Sequence, residues 1–309
     1  MLSARPRHLL VVPVLALPLL LAGCGSTAAA DDDDTVQVLA SFYPLQMVAQ
    51  EVGGDRVSVE SLTPPGAEPH DVELSPAQVS HLDTADLVVY LSGFQAAVDD
   101  AVAQTAPAHV LDAADVTPLM SDEGDEHEHE EGDDHEHGGL DPHFWLDPSR
   151  MPAVADAVAE QLTELDPDGA DEFAANAAAL TERFTALDEA YQAGLAECSI
   201  RTFVTSHTAF GYLADRYDLH EVGISGIDPE AEPSPARLAE VADVVEQEGV
   251  TTIFFETLVS PKVAETLAAD LGVDTAVLDP IEGLADEDAD YFSVAEDNLE
   301  ALRVALSCS

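Results

Sequence analysis

Two stretches of this 309-residue chain are copies of one another, and that repeat limits the fold more than any other feature. Gln37-Val-Leu-Ala-Ser41 runs into the helix-like segment Phe42–Gly53, as Thr202-Phe-Val-Thr-Ser206 runs into His207–Asp218. Each reads as a short buried strand, a serine cap and a helix. Val57–Ser61 then pairs with Glu221–Ser225, Ala67-Glu-Pro69 with Ala231-Glu-Pro233, and Ser75-Pro76 with Ser234-Pro235. Both Ser-Pro pairs carry the signature of an N-cap followed by proline at the first helical position. Two more strands close each copy, at Leu87–Leu91 and His109–Leu111, and at Thr252–Glu256 and Thr275–Leu278.

Alternating strands and helices predict parallel sheets covered by helices. The expected fold is therefore α/β, with two pseudo-symmetric lobes, an N-terminal one over residues 35–167 and a C-terminal one over 198–309. Between them Phe173, Ala177, Leu180, Phe184, Leu187, Tyr191 and Leu195 recur every three or four residues. That spacing predicts one linker helix over 168–197, roughly 44 Å long for the span Asp168–Ala196 and stiffer than a short hinge.

Function is to be sought where the copies differ. The first copy inserts His70-Asp-Val-Glu-Leu74, which the second lacks, and the second has His207 where the first has Phe42. Asp112 matches Asp279 at the fourth strand end, and after Asp112 the first copy alone carries a long acidic excursion ending near His143. His70, His143, His207 and Asp279 all follow carboxyl ends of strands, the edge at which open parallel sheets bind ligands. Three imidazoles and a carboxylate suit tetrahedral zinc, whereas manganese or magnesium prefers more oxygen donors. His81, His109 and His220 lack such placement and are assigned structural roles. Asp112 is read as a turn cap.

The excursion over 121–139 contains His127, His129, His135 and His137 among carboxylates. Such a tract binds metal weakly and cannot build a core, so it is read as an accessory that gathers zinc.

At the N-terminus, Arg5 and Arg7 precede an apolar run from Leu9 to Leu21 that ends in Leu21-Ala-Gly-Cys24. This is the pattern of a signal peptide over residues 1–23, and its end resembles the bacterial lipobox, in which the cysteine is lipidated. Residues 24–34 follow as a flexible tether. Without the signal, 8 basic side chains face 62 acidic ones, a net charge of −54 over residues 24–309. Nucleic acid is excluded as a partner on those grounds. In an oxidising compartment the remaining pair, Cys198 and Cys308, is read as a disulfide.

Gly66-Ala-Glu-Pro-His70-Asp, Asp141-Pro-His143-Phe-Trp-Leu-Asp-Pro148, Thr205-Ser-His207-Thr-Ala-Phe-Gly-Tyr212 and Val277-Leu-Asp279-Pro together resemble the metal-binding solute-binding proteins of bacterial ABC transporters. Within them the chain is similar to the zinc-uptake branch, because the manganese and iron binders tend to carry glutamate where His207 stands. The resemblance implies a metal buried between two lobes and delivery to a membrane permease driven by a cytoplasmic ATPase. It also implies an extracytoplasmic protein, here expected to be a monomer anchored to the membrane by lipid on Cys24. Asp279 is preferred as the fourth ligand, with Glu68 and water as alternatives. The rival functions are a manganese or iron binder of the same family, a secreted zinc-dependent hydrolase and an adhesin. The hydrolase would need a base such as Glu256, and the chain has no His-Glu-x-x-His motif.

Overall fold

The computed structural model describes residues 35–121, 139–286 and 288–309. The signal peptide, the tether with Cys24, and the four histidines His127, His129, His135 and His137 lie outside the described residues. Residues 35–309 make one compact unit.

The first sheet contains β1 (Val36–Ala40), β2 (Val57–Ser61), β3 (Leu87–Tyr90) and β4 (Val110–Asp112), all parallel in the order β2-β1-β3-β4. Short β5 (Met120–Ser121) and β6 (Leu140–Asp141) pair antiparallel at the two ends of the acidic excursion. The second sheet repeats the first with β7 (Thr202–Thr205), β8 (His220–Gly223), β9 (Thr252–Phe255) and β10 (Asp274–Val277). Its order, β8-β7-β9-β10, is the same arrangement shifted along the chain.

Successive strand residues point to opposite faces, and the cores follow that alternation. Val38, Ala40, Val89, Phe203 and Phe254 belong to one large buried cluster. Leu39 and Val88 turn instead to a smaller cluster beneath α2 (Pro76–Leu82) and α3 (Ala96–Thr105). Val204 and Ile253 turn to another beneath α8 (Pro235–Glu248) and α9 (Lys262–Leu271). The large cluster is shared by both sheets, and helix α6 (Ala170–Leu195) runs through it. All seven apolar positions of its expected stripe are buried, and its 26 residues span about 39 Å at 1.5 Å per residue. α1 (Tyr43–Gly53), α5 (Met151–Leu165) and α10 (Tyr291–Ala305) pack on α6 and complete the shared core.

Ser75 and Ser234 cap α2 and α8 as their Ser-Pro pairs predict, accepting from the backbone N–H groups of Gln78 and Arg237. The serine caps expected after β1 and β7 do not form. The cap positions are Phe42 for α1 and Phe210 for α7 (Gly211–Arg216), neither with a side-chain hydrogen bond. The second helix therefore starts later than its copy, leaving residues 207–210 as a turn pressed onto β8. A Cβ on Gly223 would stand 2.3 Å from Thr208 Oγ1 and 2.9 Å from its backbone nitrogen, so only glycine permits this approach. That turn frees His207 to leave the end of β7 towards the cleft.

The disulfide forms between Cys198 and Cys308, joining the segment after α6 to the chain end. Among the described residues no helix is long and apolar enough to cross a membrane.

Candidate metal centre

His70, His143, His207 and Glu282 each offer one ligand atom, and these four atoms all lie within 4.8 Å of one another. The three histidines were expected together; the carboxylate beside them was not.

Each side chain stands in a segment that follows the carboxyl end of a strand. His70 stands in the insertion after β2, where the Glu68 carboxylate accepts from the backbone N–H groups of His70 at 3.0 Å and Asp71 at 3.3 Å. Both Glu68 oxygens thus hold the turn, and Glu68 is not in the group of ligand atoms that His70 joins. Gln95 donates to Pro69 O at 3.1 Å, and Phe94 packs edge-on to the His70 ring with centroids 4.7 Å apart.

His143 follows β6 directly. Asp141 Oδ1 accepts from its backbone N–H at 2.9 Å and lies 2.8 Å from its ring Nδ1. Trp145 wedges the same segment against the core, donating to Pro280 O at 2.7 Å, and Tyr291 donates to Trp145 O. His207 and Glu256 leave neighbouring strands, β7 and β9, at the point where the strand order reverses. There Glu256 Oε1 lies 2.9 Å from His207 Nδ1 and accepts from Ser206 Oγ at 2.6 Å. The serine that does not cap a helix instead steadies this carboxylate. Glu256, weighed in the sequence as a catalytic base, orients an imidazole.

In both pairs a carboxylate takes the Nδ1 side and leaves Nε2 facing the centre, the usual second layer behind a metal-binding histidine. Glu282 Oε1 lies 3.1 Å from His143 Nε2, 3.4 Å from His70 Nε2 and 3.6 Å from His207 Nε2. His143 and His70 Nε2 are 3.4 Å apart. The last of the Glu282 separations exceeds a hydrogen bond, so His207 Nε2 is a buried nitrogen without a hydrogen-bond partner among the described residues. A zinc ion about 2.0–2.1 Å from each donor sets tetrahedral edges of about 3.3 Å, close to these four separations. Side-chain exposure is 10% for His70 and 1% or less for the other three, so water is largely excluded.

Burial opposes charge on His143, but the carboxylates of Asp141 and Glu282 outweigh it and raise its pKa to about 9. His207 is driven the same way against burial, by Glu256 and Glu282, to about 10. Glu282 is itself buried, yet its three imidazole neighbours hold its carboxyl well below the ordinary range. The carboxylates around His143 and His207 thus favour positive charge at the centre.

Asp279 stands apart from the group. Its Oδ1 accepts from the backbone of Ile281 at 2.8 Å and its Oδ2 from Thr257 Oγ1, while Asn298 brackets its backbone. Asp112, its counterpart in the first half, accepts from Ala114 N at 3.0 Å in the same two-residue turn. Asp279 therefore does what Asp112 does, and the match between the copies reports turn geometry. Ile281 then adopts φ 55°, a left-handed conformation rare for a β-branched residue. That reversal turns the chain so that Glu282 enters the centre. Glu282 was missed because the repeat comparison stopped at Asp279-Pro280. Its only signal was being an acidic residue farther along the same loop. His81, His109 and His220 lie away from the site, His81 near Glu60 at 3.6 Å and the other two exposed or half-exposed.

A family model described as zinc-uptake complex component A, periplasmic, matches residues 38–305. The chain is 36% identical over 307 residues to the high-affinity zinc uptake system protein ZnuA of Bacillus subtilis, covering 95% of this chain and 96% of that protein. It is 36% identical to the zinc-binding lipoprotein AdcA of Streptococcus pneumoniae, covering 92% of this chain but only 58% of AdcA's length. Among solved structures, Zn(II)-bound AdcA matches with TM-score 0.74 at 35% identity, over 88% of this chain and 58% of that one. The laminin-binding protein Lmb of Streptococcus agalactiae, described as having adhesin and metal transporting activity, matches with TM-score 0.77 at 34% identity, over 88% of this chain and 99% of that one. Sequence, fold and centre agree: the chain belongs to the family of periplasmic zinc-uptake components, the A subunits of zinc-uptake complexes.

Proposed function

We propose that the protein captures Zn2+ outside the cytoplasm and delivers it to the membrane permease of an ABC importer powered by a cytoplasmic ATPase. The observation that carries this reading is the buried set of three imidazole nitrogens and one carboxylate oxygen, all within 4.8 Å of one another and with four of their separations between 3.1 and 3.6 Å. His70, His143, His207 and Glu282 are the proposed ligands, and Asp279 is replaced in that role. Nitrogen-rich donors favour zinc over manganese, which prefers oxygen. Four protein ligands close the coordination sphere, as suits holding a cargo ion rather than activating water. The names of the zinc-binding relatives support the same cargo. We further propose lipid attachment at Cys24, a monomeric state, and weak accessory binding by His127, His129, His135 and His137.

The test is competitive titration with a chelator, using zinc and manganese in turn. Wild type takes one zinc tightly and prefers it to manganese; His143→Ala loses zinc affinity by orders of magnitude. Deleting residues 122–137 lowers the zinc stoichiometry and spares the tight site. Unchanged zinc affinity in His143→Ala refutes the ligand set, and loss of the tight site on deletion makes the excursion a primary source of ligands.

A further inference from the structure

The residues that present His143 are gripped from the other half of the molecule. The Tyr212 hydroxyl, on α7, accepts from the backbone N–H of Met120 at 2.7 Å and donates to the carbonyl of Asp141 at 2.7 Å. It thereby holds one residue from each strand of the β5–β6 pair. That ladder has two residues per strand, too few to be stable alone. Residues 122–138 leave from one strand of it and return to the other. Arg150 reinforces the grip, its guanidinium 4.6 Å from the Tyr212 ring centroid and donating to Pro118 O at 2.8 Å, just before β5. The preceding residue touches the same partner: a Cβ on Gly211 would stand 2.9 Å from Asp141 Oδ2. Gly211 therefore leaves the room that the Asp141 carboxylate occupies, and Tyr212 holds the Asp141 carbonyl. Asp141 in turn is the acceptor on His143 Nδ1.

We propose that Tyr212 is a positioning residue for metal capture: it latches the β5–β6 base across the lobes and so keeps Asp141 on His143. The proposal rests on His143 being a zinc ligand, as read above. Loss of an outer partner of a ligating histidine typically weakens binding 10–100-fold. Tyr212 acts one step farther out, so its share is about 10-fold.

The experiment is chelator competition on the full chain, with wild type, Tyr212→Phe, Asp141→Asn and the double variant, alongside cobalt(II) absorption spectra. Tyr212→Phe keeps the ring and the Arg150 stack and removes only the hydroxyl. The expected result is about a 10-fold loss for Tyr212→Phe, a larger loss for Asp141→Asn, and little further loss when the two are combined, since both act through one bond. The cobalt d–d bands of Tyr212→Phe should shift towards those of Asp141→Asn, a change that general loosening elsewhere would not produce. Gly211→Ala, which crowds the carboxylate without touching the hydroxyl, should weaken binding in the same direction. Wild-type affinity in Tyr212→Phe, or fully additive losses with an unshifted spectrum, overturns the latch. Absence of tight zinc binding in wild type would instead overturn the ligand assignment beneath it.

Discussion

Zinc capture should depend far more steeply on pH than ordinary values at His143 and His207 would allow. The perturbation is a change from pH 6 to pH 8. With His143 raised to about 9 and His207 to about 10, both imidazoles stay protonated across that range in the metal-free protein. Zinc must then displace a whole proton from each, and apparent affinity climbs about two decades per pH unit, or about 10⁴-fold overall from these two residues. Had both kept the ordinary value near 6.5, the same change would give only about 16-fold. Chelator competition at fixed ionic strength reads the slope. Calorimetry at pH 7 in buffers of different ionisation enthalpy reads the protons released, expected to be about two per zinc. A slope below one decade per unit above pH 7, with less than one proton released, would refute the picture of a site occupied by protons. The same shifts govern the metal-free fold. Raised histidines stabilise it fully below their unfolded values, and that contribution disappears as pH rises through about 9 to 10. Glu282, lowered, contributes above its unfolded value and is lost only in acid. The metal-free melting temperature should therefore fall between pH 8 and pH 10.5.

Two further outcomes separate neighbouring groups. Glu282→Gln removes a buried charge facing three imidazoles, a change worth about 3–5 kcal/mol. At pH 8 it should weaken zinc binding at least about 100-fold, while Asp279→Asn, which keeps its acceptor for Ile281 N, should stay within about threefold; the reverse ranking would restore Asp279 as ligand. Replacing Cys198 and Cys308 by alanine opens a closure of 110 residues and should cost about 2–4 kcal/mol in denaturant unfolding without altering zinc stoichiometry. An unchanged unfolding midpoint would show that the bridge constrains little.

The architecture was legible because its signals are local and repeated. The short buried runs Val36–Ala40 and Thr202–Thr205, and the spacing from Phe173 to Leu195, each report burial directly. The duplication then supplied the topology, since two copies of one order needed to be read only once. His70 and His207 could be found as departures between copies, and His143 as the histidine in the Asp-Pro-His motif just past the acidic tract. At Asp279 the same comparison picked out a turn shared with Asp112, because equivalence between copies also preserves structural roles. It misled at Ser41 and Ser206, where a cap pattern was present but the helix began later.

What the chain alone determined, then, was the two-lobed α/β frame and three imidazoles at strand ends, because hydrophobic period and strand-end position are properties of sequence order. Tertiary structure alone brought the Glu282 carboxylate, and not that of Asp279, beside the three imidazoles. Asp279 and Glu282 are three residues apart in one loop, and a left-handed Ile281 turns one inward and leaves the other bound to Thr257 and the backbone. It alone also paired Asp141 with His143 under Tyr212, and Glu256 with His207 across two strands. A ligand's direction and its proton are set by what lies across space from it, and no spacing along the chain records that distance.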